Sequence, residues 1–129
     1  MILLDTHVLL WMVGDSKRLS ARARKAIEDA RKKTGIAAAT ITLREVAWLA
    51  HNHRIVAVGG VESLVRELAT RVILRPITPE IAALSVRLPE QFPKDPADSL
   101  IAATAIAEGM PLVTADMSIR RSKVVETIW

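Results

Sequence analysis

The run from Lys94 to Asp116, KDPADSLIAATAIAEGMPLVTAD, constrains the fold more than any other stretch of the chain. Asp95 is a strong helix N-cap, Pro96 suits the first helical position, and Asp98 falls at the third, where a carboxylate answers free backbone N–H groups. From Leu100 to Ala107 the segment is apolar nearly all round, the pattern of a helix sandwiched inside a domain, and Gly109 followed by Pro111 stops it. Leu112 and Val113 then form a short strand, with Thr114 and Asp116 at its carboxyl end. A buried helix that delivers a buried strand is the unit of a layered α/β sheet, and ligands of such sheets sit at the strands' carboxyl edge.

The rest of the chain repeats that alternation. Ile2 to Leu4 reads as a buried strand ending on Asp5, with Thr6 capping a helix to about Val13. Ser20 caps a basic helix that stops at Gly35, Ile36 to Ala39 is a second strand, and Thr40 or Thr42 caps a helix to about His51 that places Glu45 in its first turn. Ile55 to Gly60 is a loop, Val61 to Thr70 a helix, Val72 to Leu74 a strand and Pro79 to Leu88 a helix. After the Lys94 to Asp116 unit come a short basic turn and a last strand, Val124 to Ile128. The expected architecture is α/β, a three-layer sandwich with a short, mainly parallel central sheet, formed as one domain over residues 1–129.

Composition narrows the surroundings. The chain of 129 residues has no cysteine, so it offers neither a disulfide framework nor a thiolate site, and a reducing interior suits it. The opening MILLDTHVLLWMV lacks a basic leader and is broken by Asp5 and His7, a poor match to a signal peptide, and no apolar run approaches a membrane span. A cytoplasmic protein with no membrane contact is expected. The net charge is +4, and Lys17 to Lys33 concentrates it, with eight basic residues against Glu28 and Asp29. Ala23, Ala26, Ile27 and Ala30 mark that helix as amphipathic. Its excess of one sign makes Arg22, Arg24 and Lys25, with Arg44 further on, candidate phosphate contacts. Trp11, Trp48, Phe92 and Trp129 are the only aromatics, too scattered for a single-strand stacking platform.

The acids fall into a pattern on this scaffold. Asp5 ends one strand, Glu45 lies a turn beyond the second, Asp98 opens the buried helix and Asp116 follows the next strand. Singly, each has an ordinary role open to it as a cap, loop or solvent-facing residue. Together, four carboxylates at one sheet edge repel one another unless a cation neutralises them. Oxygen ligands without Cys or paired His favour Mg²⁺ or Mn²⁺ over zinc. An acidic, metal-binding cleft on a basic protein suits phosphodiester hydrolysis, where an ion activates water and stabilises the leaving oxygen.

These pieces resemble the PIN-domain family, and within it the VapC-type toxins of prokaryotic toxin–antitoxin pairs. The opening ILLDTHVLLW, the helix start TITLREVAWLA, the run DPADSLIAATAIAEGMPLVTAD and the short final strand occur in the family's order and span almost the whole chain. The resemblance implies a Mg²⁺- or Mn²⁺-dependent endoribonuclease that hydrolyses RNA. Asp5, Glu45, Asp98 and Asp116 would be its catalytic acids, Asp5, Asp98 and Asp116 its metal ligands, and Thr6 and Thr114 hydroxyls that orient ligands. Asp95 matches the first acid of the family's D-P-x-D piece and is assigned mainly to capping. Ser99 stands where many relatives carry Arg, which removes that arginine from any phosphate contact, and Arg44 is a candidate substitute.

The resemblance further implies a homodimer and a cognate antitoxin whose tail occupies a groove; Val8, Trp11, Met12 and Trp48 are candidates to line it, or else core. His51 and His53 are read as favourable partners of a helix C-terminus, and His7 as a neighbour of the site mouth. A receiver-type phosphoacceptor needs an acidic pair after the first strand and a late lysine, and a haloacid-dehalogenase-like phosphatase needs Asp where His7 stands. The remaining alternative is a non-catalytic nucleic-acid-binding module, or a DNA-directed nuclease, of the same fold.

Overall fold

A computed structural model describes residues Met1–Trp129. Five parallel strands, β1 (Ile2–Leu4), β2 (Ile36–Ala39), β3 (Ile73–Arg75), β4 (Leu112–Val113) and β5 (Thr127–Ile128), lie in the order β3-β2-β1-β4-β5. Register is set by Leu3, opposite Ala37 on one side and Leu112 on the other. Seven helices connect the strands: α1 (Thr6–Val13), α2 (Ala21–Lys33), α3 (Ile41–His51), α4 (Val61–Ala69), α5 (Pro79–Ser85), α6 (Pro96–Ala107) and α7 (Met117–Ser122). The three-layer reading holds, and every strand pair is parallel.

Strand residues alternate strictly between two cores, as the period of two requires. Ile2, Leu4, Ile36, Ala38 and Val113 pack with Val8, Leu9, Ala23, Ile27, Val46 and Leu68 on the face covered by α1 to α4. Leu3, Ala37, Ala39 and Leu112 pack with Ile101, Ala102, Ala105 and Ile119 on the face covered by α6 and α7. Both faces are buried, so β1 and β2 read as unbroken apolar runs rather than alternating ones. Alanines stand on both sides of the second interface, Ala37 and Ala39 from β2 against Ala102 and Ala105 from α6. Small facing side chains let the α6 backbone come close to the sheet, which fixes where its first turn lies. Fully burying Leu3, Leu4, Leu9 or Leu112 contributes roughly 1.5–3 kcal/mol each.

Several boundaries differ from the sequence reading. Met117–Ser122 is a helix, not merely a basic turn, because Asp116 caps it through a bond to the Ile119 N–H. The α5 helix ends at Ser85 instead of about Leu88; Leu88 precedes Pro89, and a residue before proline is pushed out of the helical region. The third strand is shifted one residue on, to Ile73–Arg75, and the last is shortened to Thr127–Ile128. Glu45 lies in the second turn of α3, whose N-cap Thr40 makes no side-chain capping bond. Gly109 adopts φ +66° just past α6, the left-handed position that lets the chain turn directly into β4.

The strand order creates the site. From β1 the chain builds outward to β2 and β3, then returns to β4 on the other side of β1. The carboxyl ends of β1 and β4 therefore flank the point where the winding reverses, the crevice in which open α/β sheets hold ligands.

Candidate active site

Asp5 is the last extended residue before α1, at φ −67° and ψ 157°, and it is Asp5, not Thr6, that caps the helix: Oδ1 accepts from the Thr6 N–H at 2.9 Å. The Thr6 hydroxyl is thereby released to donate to Glu45 Oε1 at 2.5 Å, across to α3. Having one hydrogen, it accepts from Thr42 Oγ1, 3.2 Å away. On the other flank of Asp5, Thr114 Oγ1 donates to Oδ2 at 2.6 Å and accepts from the Asp116 N–H at 3.1 Å. Asp116 caps α7 with Oδ1, 3.0 Å from the Ile119 nitrogen, and its Oδ2 makes no bond within the chain. Two buried threonine hydroxyls thus tie together the ends of β1 and β4 and the second turn of α3.

The first turn of α6 closes the crevice. Asp95 Oδ1 accepts from the Asp98 N–H at 3.0 Å, as an N-cap should. Asp5, Glu45, Asp98 and Asp116 all line one pocket of about 390 Å³, together with Thr6, His7, Trp11, Asp95 and Ala115. All four acids singled out in the sequence therefore meet. Asp95 caps α6 and also faces the pocket, a double role that its position at the same sheet edge could have signalled. Trp11, expected from the sequence to line a partner groove or the core, also walls this pocket; it lies one helical turn beyond His7, and their rings stand 6.0 Å apart.

The carboxylates do not sit comfortably together as anions. Burial raises Asp5 above the usual carboxylate range, against the hydrogen bonds from Thr114 and Thr6 and the nearby His7, with Asp116 adding repulsion. Burial likewise raises Glu45, opposed by the Thr6 hydrogen bond and reinforced by Asp5 and Asp95. Asp98 is pushed up to about 7, first by burial and then by the negative charges of Asp5, Asp95, Glu45 and Asp116. Protons or a cation must neutralise such a cluster near neutral pH. The donors are all hard oxygens, which fits Mg²⁺ or Mn²⁺. No three acidic or histidine side chains are gathered closely enough to ligate one ion directly, so an ion bound here would keep several waters, as Mg²⁺ commonly does.

The other candidates fall elsewhere. Arg22, Arg24 and Lys25 lie exposed on α2 and line no part of the acidic pocket. Arg24 Nη2 donates to the Ser16 carbonyl at 2.8 Å, and Lys25 pairs with Asp29 at 2.9 Å. From the same basic stretch, Arg18 stands over the Trp11 ring, 4.7 Å from its centroid. Arg44 lines a neighbouring hollow beside Glu45. Ser99 lines a separate hollow against the α5–α6 connection, not the acidic pocket. Val8 is fully buried, Trp11 and Met12 are half-buried, and Trp48 belongs to a different hollow from Trp11, so these four do not share one groove. His51 and His53 are exposed and line none of these cavities.

The family model of the PIN domain matches residues 2–124. Ribonuclease VapC22 of Mycobacterium tuberculosis is 45% identical over 130 residues, covering 99% of this chain and 98% of that protein. Among solved structures, VapBC2 from Rickettsia felis, bound to a DNA fragment from its promoter, superposes with a TM-score of 0.73 at 20% identity, covering 98% of this chain and 97% of that one. Mycobacterium tuberculosis VapC20, described as a sarcin-ricin loop cleaving toxin, superposes with a TM-score of 0.66 at 19% identity, covering 98% of both chains. With its parallel sheet, its acidic crevice and this match over nearly its whole length, the chain belongs to the PIN-domain family and, within it, to the VapC-type proteins.

Proposed function

We propose that residues 1–129 form one nuclease domain, a Mg²⁺- or Mn²⁺-dependent endoribonuclease that acts as the toxin of a toxin–antitoxin pair. The observation that carries this reading is the convergence of Asp5, Glu45, Asp98 and Asp116 on one pocket at the switch point of the sheet. Support for RNA as substrate comes from the 45% identity to a protein named as a ribonuclease. Support for a cognate antitoxin comes from the fold shared with VapBC complexes. No helix is long and apolar enough to cross a membrane; action in the cytoplasm is part of the proposal. A homodimer is part of the proposal.

Asp5, Asp98 and Asp116 would hold the ion, through its waters where a carboxylate does not reach it directly. When bound, it supplies neutralising charge, a more acidic water and stabilisation of the departing oxygen. Thr114 fixes one oxygen of Asp5 through its hydroxyl, and the Thr6 N–H fixes the other, so the Asp5 carboxylate is oriented before substrate arrives. The Thr6 hydroxyl holds Glu45 by Oε1, leaving Oε2 without a partner in the chain. Glu45, raised by burial, can receive a proton at Oε2 from the attacking water.

The test is cleavage of a panel of structured and single-stranded RNAs, with matched DNA, in Mg²⁺, Mn²⁺ or EDTA, for the native protein and the Asp5→Asn and Asp98→Asn variants. Metal-dependent RNA cleavage lost in both variants is expected. Cleavage of DNA alone, or RNA binding without turnover, would establish the alternative of a DNA-directed or purely binding module, and an active double variant would sink the catalytic assignment.

A further inference from the structure

The acidic pocket adjoins a second hollow of about 430 Å³ that shares His7, Glu45 and Asp95 with it and is also lined by Arg44, Trp48 and Pro96. Trp48 stands apart from the other aromatics. Trp11 packs 5.8 Å from Trp129 and lies under Arg18, and Phe92 is buried in the second core. Trp48 has neither a ring nor a cation against it and is 47% exposed, on a chain with only four aromatics.

Its position on α3 is specific. Trp48 follows Glu45 by three residues, so both project from one helix face, and Arg44 is four residues before Trp48 and next to it on that face. The molecule's four ion pairs use Lys25, Arg66, Arg71 and Arg75, which leaves the exposed Arg44 guanidinium without an anionic partner although Glu45 is its neighbour. A flat ring and a free guanidinium beside a candidate phosphodiester-cleaving centre are the two elements that hold a single-stranded nucleotide, the ring by stacking and the cation by phosphate contact. The larger groove beyond Trp11, walled by Leu10, Ile55, Val56 and Leu64, is better suited to an apolar protein segment.

We propose that the hollow between Arg44, Trp48 and Pro96 is a nucleobase subsite: the Trp48 ring stacks on the base flanking the phosphodiester held at the acidic pocket, and Arg44 contacts the adjoining phosphate. The inference rests on the ribonuclease reading above and adds to it a positioning pair that selects for an unstacked, single-stranded nucleotide next to the cut.

Steady-state cleavage of a short single-stranded RNA that the Mg²⁺-loaded native protein cuts tests it, using Trp48→Ala, Trp48→Phe and Arg44→Gln, each checked for an unchanged melting transition. The same RNA is also made abasic, one position at a time, on either side of the cut. Trp48→Ala is expected to raise KM about tenfold, the order for one stacked base, with kcat changed less than KM, and Trp48→Phe to recover most of the loss. One abasic position should impose the same penalty on the native protein and none beyond it on Trp48→Ala. Arg44→Gln should raise KM and reduce the salt dependence of binding by about one counterion. If the native protein cuts RNA but Trp48→Ala has an unaltered KM and abasic profile, the subsite is refuted while the nuclease reading stands. If the native protein neither cuts nor binds RNA, both fall. If Trp48→Ala cuts normally but loses self-association or a protein inhibitor, the surface belongs to a protein partner and the proposal is overturned. Should Trp48→Ala fail to fold, Trp48→Phe and the abasic series on the native protein decide it.

Discussion

Replacing Asp98 by Asn should make the metal-free protein more stable while destroying its activity, and the size of the effect follows from the site. Folding lifts the Asp98 carboxyl from 3.8 to about 7, through burial and four neighbouring carboxylates. In full, that rise corresponds to about 4 kcal/mol at 1.36 kcal/mol for each tenfold change. Asp98 is only half-buried, and solvent screening reduces the figure to ~2 kcal/mol. The sign is fixed by linkage. A carboxyl raised on folding contributes stability that is intact below about pH 4 and is lost as pH climbs through about 7, because the folded chain must then carry the ionised form. Asn does not titrate, and it gives up only the favourable charge in the first turn of α6, about 0.5 kcal/mol. The variant should therefore be more stable than the native protein by about 1–2 kcal/mol at about pH 8 in EDTA, with the gap narrowing toward about pH 5. Urea unfolding at the two pH values measures it. Saturating Mg²⁺ should reverse the order, because the native protein gains the binding energy of an ion that the variant holds poorly. A variant less stable than the native protein at high pH without metal, or a gap that ignores pH, would refute the repulsion on which the metal site is argued.

Two further predictions probe the bonds around Asp5 and Asp116. Thr114→Val removes a fully buried hydroxyl that donates to Asp5 and accepts from the Asp116 N–H; it should lower stability by about 1–3 kcal/mol and cut RNA cleavage at least about tenfold, and native rates with native stability would remove Thr114 from the site. Asp116→Asn keeps a good N-cap for α7 whereas Asp116→Ala loses one, so urea midpoints should separate the two by about 1 kcal/mol; RNA cleavage should fail in both, and an active Asn variant would reduce Asp116 to a cap.

The acidic cluster was readable in the sequence because each member is tied to a local signal. Asp5 and Asp116 follow apolar runs too short to be anything but strands, and Asp98 sits two residues after a proline at a helix start. What could not be read was how each acid's oxygens are engaged. Asp5 and Asp116 spend one oxygen capping helices, and the Thr6 hydroxyl is free for Glu45 only because Asp5 takes the cap. The helix α7 is not legible in the sequence because its six residues show little periodicity, and α5 stops short of its apolar pattern because the approach to Pro89 disfavours the helical conformation.

By itself the sequence determined the alternation of helix and strand, the two-faced burial of β1 and β2 and the chemistry of the acids, since these depend on residue type and short-range spacing. Only the tertiary structure decided that β1 and β4 are neighbours, that Asp95 lines the pocket beside the helix it caps, and that Trp11 walls the acidic pocket itself while Trp48 lines the hollow next to it. Strand order and the facing of helices are set by which buried surfaces pack together across the sheet, a long-range choice that no local window of residues contains.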